Sequence, residues 1–502
     1  MEFMSRNAVH GSALAAGVVC AAALMVFVGH AQSVEPPAAP TFTQDVAPIV
    51  FRNCTSCHRP GESAPFSLMS YADVRPRGRQ IAAVTKSRQM PPWKADAGDF
   101  PFKGDRRLHD ADIETIQRWV DAGMPEGDPA KLPAMPAFTH GWQLGEPDLV
   151  VSMPEPYDVP VSGRDVYRNF VLPLNLNDDV WVKAVDFRPS ARAVVHHALF
   201  FLDTTGAARE MDERDPLPGY AGGMGGGLAQ RGGRLLLGGG RGGSRSGARS
   251  SDGAAGAIAQ RVSAVGGTLG GWAPGAQPRM LPDDLAFRVE RGSDLIISTH
   301  FHPNGQPAHE ASTVGLYFAK RAPSKRFTSI QLPPVFGLFS GLDIPAGEGH
   351  YTIADSFVLP VAVRAFGTVG HAHYLAKELK MTATLPTGAT RTLLSISDWD
   401  FGWQEQYQFA DYVELPAGTR LDVRVAYDNS AANRRNPSTP PQPVRWGEQS
   451  TDEMGSVGLQ VVAADERDLP ELQQAFALHV RDAAMNSPIG KMLVGLGRGR
   501  GR

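Results

Sequence analysis

Two textures of hydrophobic and polar positions divide the chain. Between Phe42 and Asp128 apolar residues recur at helical spacing: VAPIVFRNC reads as a short helix and HDADIETIQRWVDAG as a longer one stopped by glycine. From about Pro147 the pattern turns to short alternating or wholly apolar runs punctuated by Pro, Gly, Asn and Asp, as in DVYRNFVLPL, DVWVKAVDFRP, TVGLYFAK and LDVRVAYDN. Such runs predict antiparallel sandwiches, and residues 145–465 are enough for two of them. A final helical pattern falls within DLPELQQAFALHVRDAAMN. The expected class is therefore mainly β. A small all-α region over 42–130 precedes sandwiches over 145–325 and 326–465, and a C-terminal helix and Gly/Arg tail occupy 466–502.

Two segments stand outside this scheme. From Gly219 to Gly275 glycine dominates, with scattered arginine and serine, and few side chains there could offset the entropy of ordering. This reads as a flexible insertion in the first sandwich. At the N-terminus, Arg6 precedes an apolar stretch from Ala13 to Val28 and a cleavage-like Gly29-His30-Ala31 triplet. Residues 1–31 are expected to be a signal peptide, with a retained anchor as the rival reading. Cleavage would leave no stable membrane insertion and a protein in the periplasm or secreted. A net charge of −3 gives no electrostatic case for nucleic acid as a partner.

Of three cysteines, Cys20 would leave with the signal, and Cys54 and Cys57 both sit in Cys-Thr-Ser-Cys-His. In an exported chain that spacing points to covalent haem c, with both thiols bonded to the porphyrin edge and His58 as proximal iron ligand. A redox dithiol or a zinc pair is the alternative. For the distal ligand Met90 is favoured, because Pro91 and Pro92 hold its loop extended. Met69, Met124 and His109 are the other candidates. Over 42–130 the region resembles a class I cytochrome c domain, which implies one-electron transfer.

Histidines supply the second constellation. His371 and His373 in GTVGHAHYLAKEL share one face of a strand and can chelate one metal. Met454 in STDEMGSVGL offers a soft thioether that suits reduced copper. Adjacent His196 and His197 cannot share a face of a regular strand, so a bulge is required to aim both at one ion, with His300 completing that site. His302 has the parity of His300 and reads as an extra ligand, a supporting group or a proton carrier. Zinc hydrolysis would want one closed set of three ligands with a general base and leaves Met454 without a role.

These residues, in this order, resemble the copper type II, ascorbate-dependent monooxygenase family, which includes the peptidylglycine alpha-hydroxylating and dopamine beta-hydroxylating enzymes. The resemblance spans about residues 145–465 and implies two jelly-roll-like sandwiches facing across an open cleft, each carrying one copper. It implies an electron-transfer copper on His196, His197 and His300, and an oxygen-activating copper on His371, His373 and Met454, the two acting as a non-coupled pair. The expected activity is hydroxylation of a small organic substrate at a C–H bond with O2. Electrons would enter through the fused haem region, fed by a periplasmic donor, or from an ascorbate-like reductant.

Two departures are plain. The disulfides of the animal enzymes have no cysteines here, and the positions that hold a substrate carboxylate in the peptide-amidating branch are Val369, Ser456 and Gly458. Amidation of glycine-extended peptides is therefore not expected. The rival functions are a periplasmic haem/copper electron carrier without oxygenase activity and a copper-binding protein.

Overall fold

The computed structural model describes residues 39–60, 62, 64–138, 141–222, 269–274, 276–282, 285–488 and 491. The expected signal peptide, most of the glycine-rich insertion and the C-terminal tail lie outside these residues. The described chain is mainly β, with several antiparallel sheets and few helices.

In the first sandwich, one sheet runs in the order Leu149–Ser152, Thr313–Phe318, Val180–Arg188, Phe287–Val289. The other runs Tyr220–Ala221, Val166–Pro173, Asp294–Phe301, Val195–Asp203, Gly271–Trp272. Phe170, Leu172, Phe200, Leu295 and Ile297 of the second sheet meet Val182, Phe187, Val314 and Leu316 of the first in one core. Asp294–Phe301 is central in its sheet and buried at every position, including the polar Asp294, Ser298, Thr299 and His300.

The second sandwich pairs Phe327–Leu332, Gly455–Ala463, Val363–Ala372 and Gln406–Leu415 in one sheet. Tyr351–Val358, Arg420–Tyr427, Ala376–Thr384 and Thr390–Ile396 form the facing sheet. The C-terminal helix Leu469–Asn486 lays Leu472, Phe476 and Val480 on the same core.

Helices Ala47–Asn53, Gly78–Lys86 and Asp110–Asp121 enclose a third core around Phe42, Val50, Ile81, Ile116 and Trp119. Asp110–Asp121 begins with two acidic residues and ends where Gly123 takes φ +84°, its N–H reaching Val120 O, so the glycine stop read from the sequence is in place.

The region expected to be all-α over 42–130 is not helical throughout. After Pro91 and Pro92 the chain leaves the helices, and Trp93, Ala95 and Phe102 are buried in the core of the second sandwich. Asp96 N–H donates to Ser395 O (2.7 Å), Lys103 N–H to Gln408 O (2.8 Å), and Lys94 Nζ lies 3.0 Å from Asp398. The chain then returns to the helices through Arg106, which is paired with Glu405. This strap, residues 93–106, lies on strands Thr390–Ile396 and Gln406–Leu415, both edges of their sheets. The aromatic side chains of Trp93 and Phe102 are buried there, packed against Tyr407.

Candidate metal centre

The required bulge is present. Val195 pairs with Phe301 and His197 with His300, so His196 is the extra residue and both histidines turn to one side. His196 Nδ1 lies 3.2 Å from His197 Nδ1, and His300 Nδ1 lies 3.4 Å from His197 Nδ1. Two nitrogens bound at about 2 Å to one tetrahedral ion lie roughly 3.3 Å apart. Among the described residues this triangle has the donors and spacing of a metal site.

Asp165, which the sequence reading did not single out, organises the site from behind. Its Oδ2 is 2.9 Å from His300 Nε2 and its Oδ1 is 2.8 Å from His302 Nδ1, so with Nδ1 of His300 directed to the triangle, the far nitrogen faces a carboxylate. His302 meets Asp165 through Nδ1, with its side chain 55% exposed. Burial alone would raise the Asp165 carboxyl, but the contacts with His300 and Ser450 outweigh it and hold it well below the usual carboxylate range. Tyr167 stacks on His300, with ring centres 4.3 Å apart and an interplanar angle of 11°.

On the second sandwich, His371 lies near the end of Val363–Ala372 and His373 just beyond it. His371 pairs with Ser456 and Ala372 with Gly455, so the next step of the register sets His373 opposite Met454, which is buried. Gln404 Oε1 accepts from His371 Nδ1 at 2.7 Å, and the Asp452 carbonyl accepts from His373 Nδ1 at 3.2 Å. Both rings are thus turned with Nε2 free, and the buried Nε2 of His371 has no hydrogen-bond partner. An orphaned buried nitrogen of this kind fits a metal ligand.

The Met454 segment is tied to the histidines by Glu453. Its buried carboxylate accepts N–H bonds from His373 (2.9 Å), Leu375 (2.7 Å) and Met454 (3.0 Å). Burial pushes this carboxyl up to about 8 against the pull of those N–H groups. The DEM string carried the signal, but sequence alone gave its glutamate no role.

Burial, with mutual repulsion among the rings, lowers the histidines: His196 to about 3, His371 to about 4, His197 and His373 well below the usual imidazole range, and His300 also downward, with Asp165 opposing the shift. All five are neutral at neutral pH, the form a metal needs. Phe401 lies against rings of both sets, 4.3 Å from His196 and 5.3 Å from His373. A cleft of about 1350 Å³ between the sandwiches reaches His197 and His371 and is walled partly by Gln277, Arg279, Gln406 and Gln460.

In the helical region, Cys54 caps Ala47–Asn53, and the N–H groups of Cys57 and His58 return to Cys54 O at 3.2 and 2.9 Å, which gathers the CTSCH side chains on one turn. His58 Nδ1 bonds Phe66 O at 3.1 Å and leaves Nε2 free for an axial bond, so the residues fit a covalently held haem. Burial pushes the Cys54 thiol up to about 12, which works against the thiolate of a redox dithiol or zinc pair. A Cβ on Gly78 would lie 2.4 Å from Met124 Sδ, so Met124 is taken up in packing against the helices. Met90, Met69 and His109 remain as distal candidates. Glu62, five residues beyond Cys57, pairs with Arg59 and lies 3.7 Å from Arg192, just upstream of His196.

The chain matches no protein-family model and no curated protein. Among solved structures, it is similar over 63% of its length to the infectious bursal disease virus VP2 subviral particle protein, at 11% identity, 73% coverage of that chain and a TM-score of 0.17. It is similar over the same share to PNGF-II, at 11% identity, 65% coverage of that chain and a TM-score of 0.24, and to PBCV-1 VP54, at 8% identity, 93% coverage and a TM-score of 0.20. Similarity at these TM-scores carries no argument about function.

Proposed function

We propose that this chain is a copper-dependent monooxygenase that hydroxylates a small organic substrate at a C–H bond with O2. The observation that carries the reading is the pairing of a histidine triangle of ligand dimensions with a buried, unpartnered nitrogen on His371, a residue that lines the cleft between the sandwiches. Copper at these residues supplies one-electron chemistry and oxygen activation. The side chains do the rest. Asp165, Gln404 and the Asp452 carbonyl fix the imidazole orientations, Glu453 holds Met454 beside His373, and Phe336 and Phe401 cover the rings against water. His371, His373 and Met454 hold the copper that faces substrate; His196, His197 and His300 hold the other.

Cys54, Cys57 and His58, with Met90 as the favoured distal residue, would hold a haem, which would supply one-electron transfer; an ascorbate-like reductant is the other source. The contact of Glu62 with Arg192 supports the first source, since it brings the CTSCH loop to the segment leading into His196. A haem and copper electron carrier is the second reading, favoured by the same contact, but it leaves the cleft at His371 without a purpose.

The test is 18O2 turnover of the full, haem- and copper-loaded chain against a panel of alkyl and aryl substrates. Expected is 18O in an organic product, abolished by His371→Ala with the haem spectrum intact. Two bound coppers and a reducible haem without oxygen uptake on any substrate would return the protein to electron transfer.

A further inference from the structure

The loop that follows Cys-Thr-Ser-Cys-His folds back onto it. Ala64 N–H donates to Cys57 O (3.3 Å), Leu68 N–H donates to His58 O (2.9 Å), and Phe66 O takes the His58 Nδ1 bond. The Phe66 ring is thereby set against the His58 imidazole, with ring centres 4.7 Å apart. Arg77 lays its guanidinium carbon 3.7 Å from the centre of that same Phe66 ring, whose face attracts a cation. Arg77 closes the short turn Arg75–Arg77, and Gly78 directly after it is pressed on Trp119: a Cβ there would lie 3.1 Å from the indole. A buried tryptophan thus sets the backbone from which the guanidinium reaches Phe66.

The other cations of the helical region are answered or screened. Arg59 is paired with Glu62, Arg52 with Asp112 and Arg88 with Asp110, while Arg75 and Arg79 are exposed to water. Arg77 is half-buried and has no acidic partner among the described residues. Through the shared Phe66 ring its charge lies within about 8.5 Å of the His58 ring centre, inside the screening length of about 10 Å at ordinary salt.

We infer that Arg77, held by the Phe66 ring beside His58, raises the reduction potential of the haem carried by Cys54, Cys57 and His58. The inference rests on the haem part of the proposed function and not on its copper or oxygenase part. Reduction adds one electron and removes one unit of positive charge from the iron, so an uncompensated cation nearby favours the ferrous form. Across a separation of that order and an effective dielectric of about 20, a unit charge shifts a one-electron equilibrium by about tenfold, which is about 59 mV. Arg77 is a positioning residue in this role: it touches Phe66, and Phe66 touches the iron ligand.

The experiment is a mediated potentiometric titration of the full, haem-containing chain, followed at the haem absorbance, with dithionite supplying the electron. Arg77→Gln keeps a polar side chain of similar reach, Arg77→Lys keeps the charge, and Phe66→Leu removes the ring but not the carbonyl that bonds His58. At the wild-type midpoint the ferrous-to-ferric ratio should fall about tenfold in Arg77→Gln and stay near wild type in Arg77→Lys, with the shape of the haem spectrum unchanged. In a Phe66→Leu background, Arg77→Gln should change the ratio much less, because the guanidinium then swings into water. A wild-type midpoint in Arg77→Gln overturns the inference. A fall in Arg77→Lys as large as in Arg77→Gln overturns it too, since the loss is then one of packing and not of charge. So does an equal effect of Arg77→Gln with and without the Phe66 ring, or a shift that comes with a changed spectrum, which would mean that an axial bond has moved. A chain that yields no pyridine haemochrome after maturation overturns it and the haem reading together. The expected shifts in a chain that transfers no 18O leave it standing while the oxygenase assignment fails.

Discussion

Replacing Glu453 by alanine tests whether the Met454 segment is held to the histidines as described. Its carboxylate takes N–H bonds from His373, Leu375 and Met454 at 2.7–3.0 Å, in a place closed to solvent. Each buried N–H left without an acceptor costs about 1–3 kcal/mol, so the sum lies at about 3–9 kcal/mol, lower if water enters the space. Glutamine is the gentler probe. Its single oxygen can keep the His373 and Met454 donors, while its NH2 faces Leu375 N–H, a loss of about 1–3 kcal/mol. Because the lost bonds position two of the proposed copper ligands, Cu(I) affinity at His371, His373 and Met454 should fall by about 10–100-fold in the alanine variant, with the His196 set unchanged. Guanidinium unfolding of the metal-free chain and a Cu(I) competition titration measure the two effects. An alanine variant with wild-type midpoint and wild-type affinity would refute the reasoning. The pH dependence gives a further check. The folded carboxyl sits near 8 against an ordinary 4.5, so the native state binds the proton more tightly and stability falls as pH rises between those values. Above about 6.5, where the histidines are neutral in both states, that decline should persist in wild type to about pH 8 and vanish in Glu453→Gln.

Other expectations follow from the same geometry. The lowered histidines have the opposite sign: the unfolded chain takes up protons below about 6.5 while the buried rings do not, so metal-free stability should fall on acidification by up to about 1.4 kcal/mol per pH unit for each ring. Urea midpoints at pH 7, 6 and 5 measure this, and a flat profile would count against burial of neutral imidazoles. Asp165→Asn should weaken copper at the His196, His197 and His300 site by about 10–100-fold, whereas His302→Ala should leave its affinity unchanged; equal losses in a Cu(I) titration would make His302 a ligand after all. Trp93→Ala should cost about 3–5 kcal/mol in the unfolding of the second sandwich while the haem absorbance of the folded chain is retained, and a loss confined to the helical region would contradict its burial in the sandwich core.

The sequence made the β class legible because strand periodicity and turn residues act locally, and strand parity alone demanded the distortion at His196 and His197. The same parity could not separate His300 from His302, since the difference lies in Asp165, 137 residues from His302 and paired through a fold not yet assembled in the reader's view. Gln404 and Ser450 were invisible for the same reason: a loop amide or hydroxyl carries no periodic signal, and their partners are 33 and 285 residues away. Trp93 carried no signal of the core it joins. Its neighbours in sequence belong to the helices, and only the empty edges of a distant sandwich decide where the indole goes.

The strap also bears on how such a chain can be taken apart. An appended electron-entry region joined by one linker could be exchanged like a cartridge. Here the polypeptide leaves the helices near Pro91, stitches across two sheet edges and goes back by Arg106, so the regions are sewn together by an outward and a homeward crossing. One cut cannot separate them. Removing the helical region at a boundary near residue 130 would strip the cover from Thr390–Ile396 and Gln406–Leu415, leaving bare strand edges that recruit other chains. Chimeras that change the helical region should therefore keep Trp93–Arg106 from the native chain and graft on both sides of it.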